Sequence, residues 1–442
     1  MKHPKAHLSL ITRYPIPGRA KTRMIPALGE EGAAQLQREM SEHVALQMRI
    51  LAATGDAFVD AWIADGSPLT SRRWLRIPGR AQIDGDLGAK LRRALSYGRA
   101  RAPVSAVIGG DCPTVSAADM RAALRSAAAT GAAIIPATDG GFCMLAISRY
   151  HPQAMPYLFH GIDWSTSHVC RQMVDNLGKA GVEVVIMPKR SDVDEEADLP
   201  AWYAVRDAWR EPPKSLAVVI PVLDEAESLP DLLPQVLAEA DEVIVVDGGS
   251  TDASVEIARA AGATVIEAVR GRGAQMNAGA AATTSEAILF LHADSRLQPG
   301  FRDAALSVLD DPSVLLGAYT FSLDATAPAL RFIEVTANWR ARERQLPWGD
   351  QGLFMRRVVF DVFCGFPPEK ALEDLVFVEA VRRVGKVAIS PMPLVTSDRR
   401  WRQVGTWRWT AINNASIAWY ALGGSPERIG AWRERMRLRY TR

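Results

Sequence analysis

Short runs of apolar, often β-branched residues recur along the chain, each followed by a polar loop. In the second half such runs occupy residues 217–220, 243–246 and 288–291, and helical spacing of apolar residues covers 229–240 between the first two. Continuous apolar runs of this length are typical of strands buried on both faces of a parallel sheet, and the helix supplies the crossover connection. This pattern predicts an α/β unit.

The first half of the chain repeats the pattern. Apolar runs predict strands at 8–12, 57–64, 102–109, 132–136 and 182–187, and residues 89–99 have helical spacing. A helix that ends near residue 209 is followed by Pro212 and Pro213, which restrict the backbone before the next strand. We therefore expect two domains, residues 1–210 and 211–442, each a mostly parallel sheet flanked by helices.

Carboxylates follow the predicted strands of the second half. Asp224 and Glu225 come after the first strand, Asp247 ends the second, and Asp294 follows the third together with His292. Open α/β sheets bind ligands at the carboxyl ends of their strands. Carboxylate oxygens there suit Mg²⁺ or Mn²⁺ that bridges a diphosphate. The alternative is ordinary loop chemistry, in which aspartate caps the next helix.

Basic residues stand beside these acids. Arg270 and Arg272 precede Gly273 and Asn277 in a segment where guanidinium groups and backbone can approach phosphate closely. In the first half, the loop after the first strand carries Arg13, Arg19, Lys21 and Arg23 around Gly18, and predicts a phosphate cradle or a solvated basic loop.

Composition is that of an ordinary globular protein. Of 442 residues 48% are apolar and 23% charged, and 52 basic against 50 acidic side chains leave a formal charge of +2. No bulk charge therefore favours nucleic acid. Four scattered cysteines without a CxxC pair argue against disulfides and zinc and fit a reducing cytoplasm. We expect no secretory signal and no membrane span.

Residues 216 to about 425 resemble inverting family-2 glycosyltransferases that use nucleotide-diphospho-sugars and have the A-type fold. The resemblance lies in the segments VIPVLDEAESL, VVDGGSTDAS, RGRGAQMNAGA, FLHADS, WGDQGLFMRR, LEDLVFVEAVRRVG and SDRRW. The family usually has Asn-Glu where this chain has Asp224-Glu225, and Asp-X-Asp where it has His292-Ala293-Asp294. Asp294 matches the metal ligand of that motif, and His292 is a weaker second ligand or a neighbouring group.

The resemblance also implies roles for individual residues. Asp374 of the Glu373-Asp374 pair would be the general base, although the pair could only cap a helix. The implied acceptor residues are Trp348, Asp350 and Gln351. The implied donor residues are Pro221, Asp224, Glu225, Asp247, Arg270, Arg272, Gly273, Asn277, Arg399, Arg400 and Trp401.

Residues 8 to about 202 resemble nucleotidyltransferase-like proteins related in fold to the cofactor guanylyl- and cytidylyltransferases, often described as glycosyltransferase partners. The segments are PGRAKTR, DGDLGAKL, IGGDCPT, PATDGGF, LFHGIDWSTSHV and SDVDEEADL. The family commonly has Tyr-Tyr where this chain has Phe142-Cys143. The resemblance implies nucleotide binding by Gly18, Lys21, Arg23 and Gly88 and a metal site of Asp111, Asp139, Asp192 and Asp194.

The sequence thus predicts a fusion of two A-type α/β domains, in which the first makes an activated donor from a nucleoside triphosphate and the second transfers its sugar. The donor would be of the UDP or GDP type, and the acceptor a small molecule or lipid; relatives carry arsenosugar-biosynthesis labels. The alternative is a non-catalytic first half that acts as a scaffold or regulatory nucleotide-binding module. We expect a cytoplasmic enzyme.

The tail remains open between two interpretations. Residues 406–420 contain Trp407, Trp409, Trp419 and Tyr420, and six arginines follow. Helices over about 402–442 with this composition fit peripheral contact with the inner membrane face. They fit equally a helix packed on the partner domain with a solvated charged end.

Overall fold

Each half of the chain folds around a sheet whose central strands are the apolar runs of the sequence. The computed structural model describes residues 6–325, 327–367 and 372–440, without the side chains of residues 400 and 437–440. The chain forms two compact units, Met1–Ala208 and Trp209–Arg442. All four cysteines are free thiols.

The first unit alternates strands and helices. Its strands are β1 (Ala6–Arg13), β2 (Ala57–Ala64), β3 (Gly79–Ala81), β4 (Val104–Gly109), β5 (Gly131–Pro136), β6 (Phe142–Ser148) and β7 (Glu183–Ile186). Its helices are α1 (Ile25–Ala53), α2 (Pro68–Leu75), α3 (Leu87–Arg99), α4 (Ala117–Thr130), α5 (Ala154–Tyr157), α6 (Val169–Lys179) and α7 (Leu199–Arg210), with 3₁₀ turns at Thr22–Met24 and Glu196–Asp198.

The second unit has the same alternation followed by a helical tail. Its strands are β8 (Leu216–Val222), β9 (Glu242–Asp247), β10 (Thr264–Glu267), β11 (Ala287–Phe290), β12 (Ser295–Arg296), β13 (Val314–Leu323), β14 (Leu353–Arg356) and β15 (Lys386–Thr396). Its helices are α8 (Leu229–Leu237), α9 (Ser254–Ala260), α10 (Arg272–Ala281), α11 (Phe301–Leu309), α12 (Pro328–Glu343), α13 (Arg357–Phe363), α14 (Glu373–Arg382), α15 (Arg399–Val404), α16 (Thr406–Ala421) and α17 (Pro426–Tyr440), with a 3₁₀ turn at Gly349–Gln351.

The two sheets have the same strand order. The first runs β3-β2-β1-β4-β6-β5-β7, and the second runs β10-β9-β8-β11-β14-β13-β15 with β12 added at its edge. In each sheet one strand, β6 or β14, is antiparallel to both its neighbours, and β12 pairs antiparallel with β15. The remaining pairs are parallel. The predicted fold class, two tandem A-type α/β domains, is confirmed.

Burial explains why the central strands read as continuous apolar runs. Residues 216–220 of β8 are all fully buried, because helices cover both faces of the sheet. Helix α10 approaches β8 closely, since a Cβ on Gly279 would lie 2.3 Å from Cγ1 of Val219. Glycine at this position lets the helix that begins at Arg272 sit directly on β8.

One expectation about β8 is wrong. The apolar run predicts a strand over residues 217–220, but β8 continues to Val222, and Pro221 pairs with Val246 of β9. Pairing of β8 with β11 stops at Val219. Proline is tolerated there because the strand on that side has ended, so its missing N–H costs no ladder bond.

The helical tail packs within the second unit. Trp401 and Val404 of α15 and Trp409 and Ile412 of α16 are buried against Ile333 of α12. This small core, separate from the sheet core, holds the tail against α12 and β13. Within the described residues no helix is long and apolar enough to cross a membrane.

Candidate active site

A cavity of about 920 Å³ in the second unit is lined by residues from several separate segments of that unit. Sequence-predicted residues on its wall come from the start of α10, the loop after β11, the 3₁₀ turn, the start of α14 and α15. They are Arg270, Arg272, His292, Asp294, Trp348, Asp350, Glu373, Asp374 and Trp401. The candidate phosphate, metal, acceptor and base residues therefore share one cavity.

Asp374 is held in place by two backbone donors. Its Oδ2 accepts the Gly349 N–H at 2.8 Å, and its Oδ1 accepts the Leu375 N–H at 2.8 Å. Each carboxylate oxygen has a second lone pair, so the group can still accept a substrate proton. A Cβ on Gly349 would lie 3.1 Å from this Oδ2 and 3.2 Å from Nε2 of His292. Glycine at this position therefore leaves both side chains room beside the turn.

Glu373 has a different environment from its neighbour. Its side chain is buried, and burial, together with the charge of Asp374, raises its pKa. Nη1 of Arg272 donates to Glu373 Oε1 at 3.4 Å and opposes that shift. Glu373 therefore positions Arg272, whereas Asp374 faces the cavity as the carboxylate available for proton transfer.

The loop after β11 carries the candidate metal residues. Asp294 and His292 both line the cavity. Among the described residues, no three His, Cys, Asp or Glu side chains converge to hold a metal ion by themselves. Mg²⁺ commonly takes one or two carboxylates and completes its shell with substrate phosphates and water. Asp294 on the wall shared with Arg270 and Arg272 fits that arrangement.

The candidate acceptor residues separate into two groups. Trp348 and Asp350 line the cavity, and the guanidinium carbon of Arg340 lies 3.9 Å from the Trp348 ring centroid. Gln351 is fully buried: its Nε2 donates to the Tyr319 carbonyl at 3.0 Å, and its Oε1 accepts the Trp348 N–H at 3.2 Å. It shapes the turn instead of lining the cavity.

The acids at the tips of β8 and β9 join neighbouring loops. Asp224 Oδ1 accepts the Thr251 N–H at 2.7 Å, and Asp247 accepts the N–H groups of Gly249 and Ser250. Arg399 pairs with Glu225 at 3.1 Å and so ties α15 to the loop after β8. These residues are not among the described ones that line the cavity.

Three further donor candidates also lie outside the described lining, and each has a structural environment. Both amide atoms of Asn277 bond to the backbone of Phe366, at 2.9 and 2.8 Å. Gly273 permits close approach, since a Cβ there would lie 3.0 Å from the Pro367 carbonyl. Pro221 belongs to β8. The side chain of Arg400 lies outside the described part of the chain.

Sequence reasoning missed the contribution of the tail to this cavity. Its wall includes Trp409, Asn413 and Ile417 of α16 and residues of α17, among them Arg433. Nη2 of Arg433 donates to Asn413 Oδ1 at 3.0 Å. The aromatic and arginine-rich composition of the tail was the available signal, but composition does not say which face of a helix meets a site.

In the first unit, Lys21 lies among the acids proposed to hold a metal. Its Nζ contacts Asp111 Oδ2 at 3.3 Å, Asp194 Oδ1 at 2.5 Å and the Val193 carbonyl at 2.7 Å, with only 6% of the side chain exposed. Despite the opposing effect of its burial, Asp111 and Asp194 raise the pKa of Lys21. The three donors of the ammonium group are thus matched by protein oxygens.

The other first-unit candidates surround this lysine. Nη1 of Arg23 pairs with Asp194 at 3.3 Å from an exposed position. Burial and the charge of Asp139 raise the pKa of Asp192 to about 6. Gly18 has a φ of +74°, and Gly88 allows close packing, since a Cβ there would lie 3.1 Å from the Trp164 ring.

The two halves of the chain match different family models. Residues 217–359 match the model of Glycosyl transferase family 2. This match lies within the second unit. Residues 42–166 match the model of an uncharacterized protein conserved in bacteria, DUF2064. The relation of the first half to cofactor guanylyl- and cytidylyltransferases and the arsenosugar labels remain predictions.

Individual relatives cover parts of the chain. Uncharacterized glycosyltransferases of Mycobacterium bovis and Mycobacterium tuberculosis are 34% identical over 97 residues, 22% of this chain and 44% of theirs. The chain thus spans less than half the length of these curated relatives.

Solved structures give partial overlaps. A protein described as a nucleotide-diphospho-sugar transferase from Desulfovibrio desulfuricans is 25% identical, with a TM-score of 0.39 over 45% of this chain and 87% of its own. Glucosyl-3-phosphoglycerate synthase of M. tuberculosis, crystallised with Mn²⁺ and UDP, is 20% identical, with a TM-score of 0.33 over 41% and 70%. The fold assignment rests on the strand order of the two sheets.

We predict that Asp192→Asn stabilises the first unit at neutral pH in metal-free buffer. Because the folded-state pKa is raised to about 6, the ionised carboxylate costs folding free energy above that pH, and the cost vanishes below the unfolded pKa of about 4. Thermal unfolding should show a higher Tm for the variant at pH 7.5 and equal values below about pH 4. Asp175→Asn, on the exposed face of α6, is the control. A Tm of Asp192→Asn below that of the wild type at pH 7.5 would contradict this prediction.

Proposed function

We propose that the second unit is an inverting, metal-dependent glycosyltransferase that moves a sugar from a nucleoside-diphosphate donor to a small-molecule or lipid acceptor. One observation carries the proposal: the backbone-held carboxylate of Asp374 shares a cavity with Arg270, Arg272 and Asp294. A base and a diphosphate-binding set on one cavity wall are what displacement at an anomeric carbon requires.

The chemistry follows from these placements. Asp374 accepts the proton of the acceptor hydroxyl while the hydroxyl oxygen bonds to the anomeric carbon on the face opposite the leaving group. The bond from that carbon to the nucleoside diphosphate breaks, and configuration inverts. Arg270 and Arg272 offset the charge of the leaving diphosphate. Glu373 keeps Arg272 in position through their ion pair.

Asp294 is the residue proposed to hold Mg²⁺ or Mn²⁺, with His292 beside it. When bound, the ion would offset charge on the diphosphate oxygens. The donor is proposed to be of the UDP or GDP type, with the loops of Asp224 and Asp247 next to the nucleoside. Four free, scattered cysteines support the proposal of a cytoplasmic location.

We predict that one nucleoside-diphosphate sugar is slowly hydrolysed by the full chain when Mg²⁺ or Mn²⁺ is present. A screen of UDP-, GDP-, CDP- and dTDP-sugars with release of the nucleoside diphosphate as readout measures this. Asp374→Asn should lower the rate by about 10²–10⁴ with donor affinity retained, because it removes the base. Asp294→Ala should remove the dependence on added metal.

The matched control is Asp303→Asn, an exposed carboxylate on α11, which should leave the rate unchanged. If Asp374→Asn keeps the wild-type rate with every donor, the proposed base is wrong. If no donor binds or is cleaved, the assignment of a working donor site fails.

For the first unit we propose a non-catalytic, scaffold or regulatory role, ahead of the donor-making nucleotidyltransferase. The buried ammonium of Lys21 favours this role, because it already neutralises Asp111 and Asp194, which a divalent ion would otherwise bridge. A nucleotidyltransferase would need this lysine to turn from the acids to a triphosphate.

We predict that Lys21→Met lowers the free energy of unfolding of the first unit by about 1.5–3 kcal/mol, since it removes charged hydrogen bonds to Asp111 and Asp194. Arg23→Gln removes an exposed contact to the same Asp194 and should cost less than about 1 kcal/mol. Chemical unfolding measures both. The donor-making role wins instead if the wild type binds a nucleoside triphosphate with Mg²⁺ and Lys21→Met loses that binding while remaining equally stable.

Peripheral membrane contact through the tail is a separate proposal. Trp407 and Leu422 of the tail are 63% and 87% exposed, and Phe332, Val335 and Trp339 form an exposed stripe along α12. Exposed apolar side chains near arginines suit an anionic lipid surface.

We predict that the full chain sediments with anionic vesicles and that Trp407→Ser with Leu422→Ser reduces the bound fraction several-fold. Leu69→Ser, on an equally exposed apolar site of α2, should have no effect. Equal sedimentation of the double variant and the wild type would exclude the tail as the contact.

A further inference from the structure

One wall of the cavity is built by the tail and has its own chemistry. Trp401, Trp409, Asn413, Ile417 and Arg433 come from α15, α16 and α17, whereas Arg270, Arg272 and Asp294 come from the sheet region. The wall therefore combines aromatic and aliphatic surface with a single arginine among its described members. Any ligand assigned to this wall rests on the proposed function, because it would be a substrate of that reaction.

Arg433 is fixed in direction but has little of its charge matched. Among the described residues it donates one hydrogen bond, to Asn413 at 3.0 Å, and its guanidinium carbon lies 5.7 Å from the Trp409 ring centroid. It forms no ion pair within 4 Å with a described carboxylate. Guanidinium has five donors, so most of them remain for a ligand.

Arg433 lies near Asp374 and Arg272, the residues proposed to act as base and to bind the diphosphate. Burial lowers its pKa. The charge of Asp374 opposes this shift, that of Arg272 adds to it, and those of Glu373 and Asp350 oppose it. Arg433 therefore lies within electrostatic range of three carboxylates and of Arg272. Two arginines that face a common space repel one another unless an anion lies there.

Two indole groups on the same cavity add unused donors. Nε1 of Trp401 and Nε1 of Trp348 are buried and have no hydrogen-bond partner, and Trp401 is only 8% exposed. Buried N–H groups are normally paired in native proteins, so each such atom requires an explanation. An acceptor oxygen of a ligand that reached either N–H would satisfy it.

Acidic residues of the tail do not reverse this charge pattern. Glu427 and Glu434 line the cavity but are exposed. Charges at an exposed rim are screened by water and salt, whereas a half-buried guanidinium acts at lower effective dielectric. Inside this rim, Arg433 is therefore the charge that the tail itself presents to a ligand.

We propose that the tail wall is the acceptor subsite and that Arg433 binds an anionic group, a phosphate or carboxylate, carried by the acceptor. The N–H groups of Trp401 and Trp348 donate to oxygens of the same molecule, and Trp409 and Ile417 contact its apolar part. Bound in this way, the acceptor presents its hydroxyl to Asp374, which shares the field of Arg433.

The test measures binding of inorganic phosphate to the full chain by isothermal titration calorimetry. Phosphate is titrated first alone and then with saturating UDP or GDP and Mg²⁺, which occupy the donor site. Arg433→Gln should weaken phosphate binding about tenfold or more in the presence of nucleotide, since a charged hydrogen bond is lost. Arg433→Lys should give an intermediate affinity, and nucleotide affinity should stay within about twofold.

Two further variants keep the result interpretable. Arg435→Gln changes an exposed arginine of the same helix and should bind phosphate as the wild type does. Trp401→Phe removes one N–H and keeps the ring, and should weaken phosphate binding several-fold even if Arg433→Gln fails to fold.

The outcomes separate this inference from the proposed function. If Arg433→Gln weakens nucleotide and phosphate equally, Arg433 belongs to the donor diphosphate and the inference is wrong. It is also wrong if phosphate affinity is unaffected by Arg433→Gln and Trp401→Phe. If neither UDP nor GDP binds but phosphate still depends on Arg433, the anion subsite stands and the donor assignment fails.

Discussion

The hydrogen bond from the Gly349 N–H to Asp374 joins the two segments on which the cavity of the second unit depends. It ties the 3₁₀ turn, which carries Trp348 and Asp350, to the first residues of α14. A Cβ at Gly349 would crowd both Oδ2 of Asp374 and Nε2 of His292, so glycine leaves room for these two side chains beside the turn. The buried amide of Gln351 then fixes the turn against Tyr319, behind the cavity.

Two neighbouring carboxylates at the cavity have different environments. Glu373 and Asp374 are adjacent in sequence, yet one is buried against Arg272 and the other is held by backbone donors at the cavity wall. Such separation of two carboxylates by environment is the usual way in which neighbouring acids acquire different tasks. Arg399 is used differently, since its contact with Glu225 closes a loop and stabilises the approach of α15.

Whether a feature of the fold or the site could be predicted from the sequence depends on how far apart in the chain the interacting residues lie. Strands could be predicted from the sequence because burial on both faces requires consecutive apolar residues, as in residues 216–220. Asp294 could be placed near Arg272 from the strand pattern and the basic segment, whereas the placement of Asp374 in the same site came from the family resemblance.

The amides of Asn277 and Gln351 could not be read in this way, since their partners are backbone groups distant in sequence. Arg433 could not be predicted for the same reason: its place on the cavity wall depends on how α17 packs on α15 and α16, and no motif encodes that packing.

The two sheets have the same strand order, but equivalent loops carry opposite charge. The loop after β1 is basic and supplies Lys21, whereas the loop after β8, its counterpart in strand order, is acidic and supplies Asp224 and Glu225. In the first unit the lysine neutralises Asp111, which follows β4. In the second, Asp294 follows β11 at the equivalent place, and no lysine enters the described lining of its cavity. A carboxylate whose charge is already matched has little left for an external cation, so the same architecture favours a ligand site in the second unit and an internal ion pair in the first.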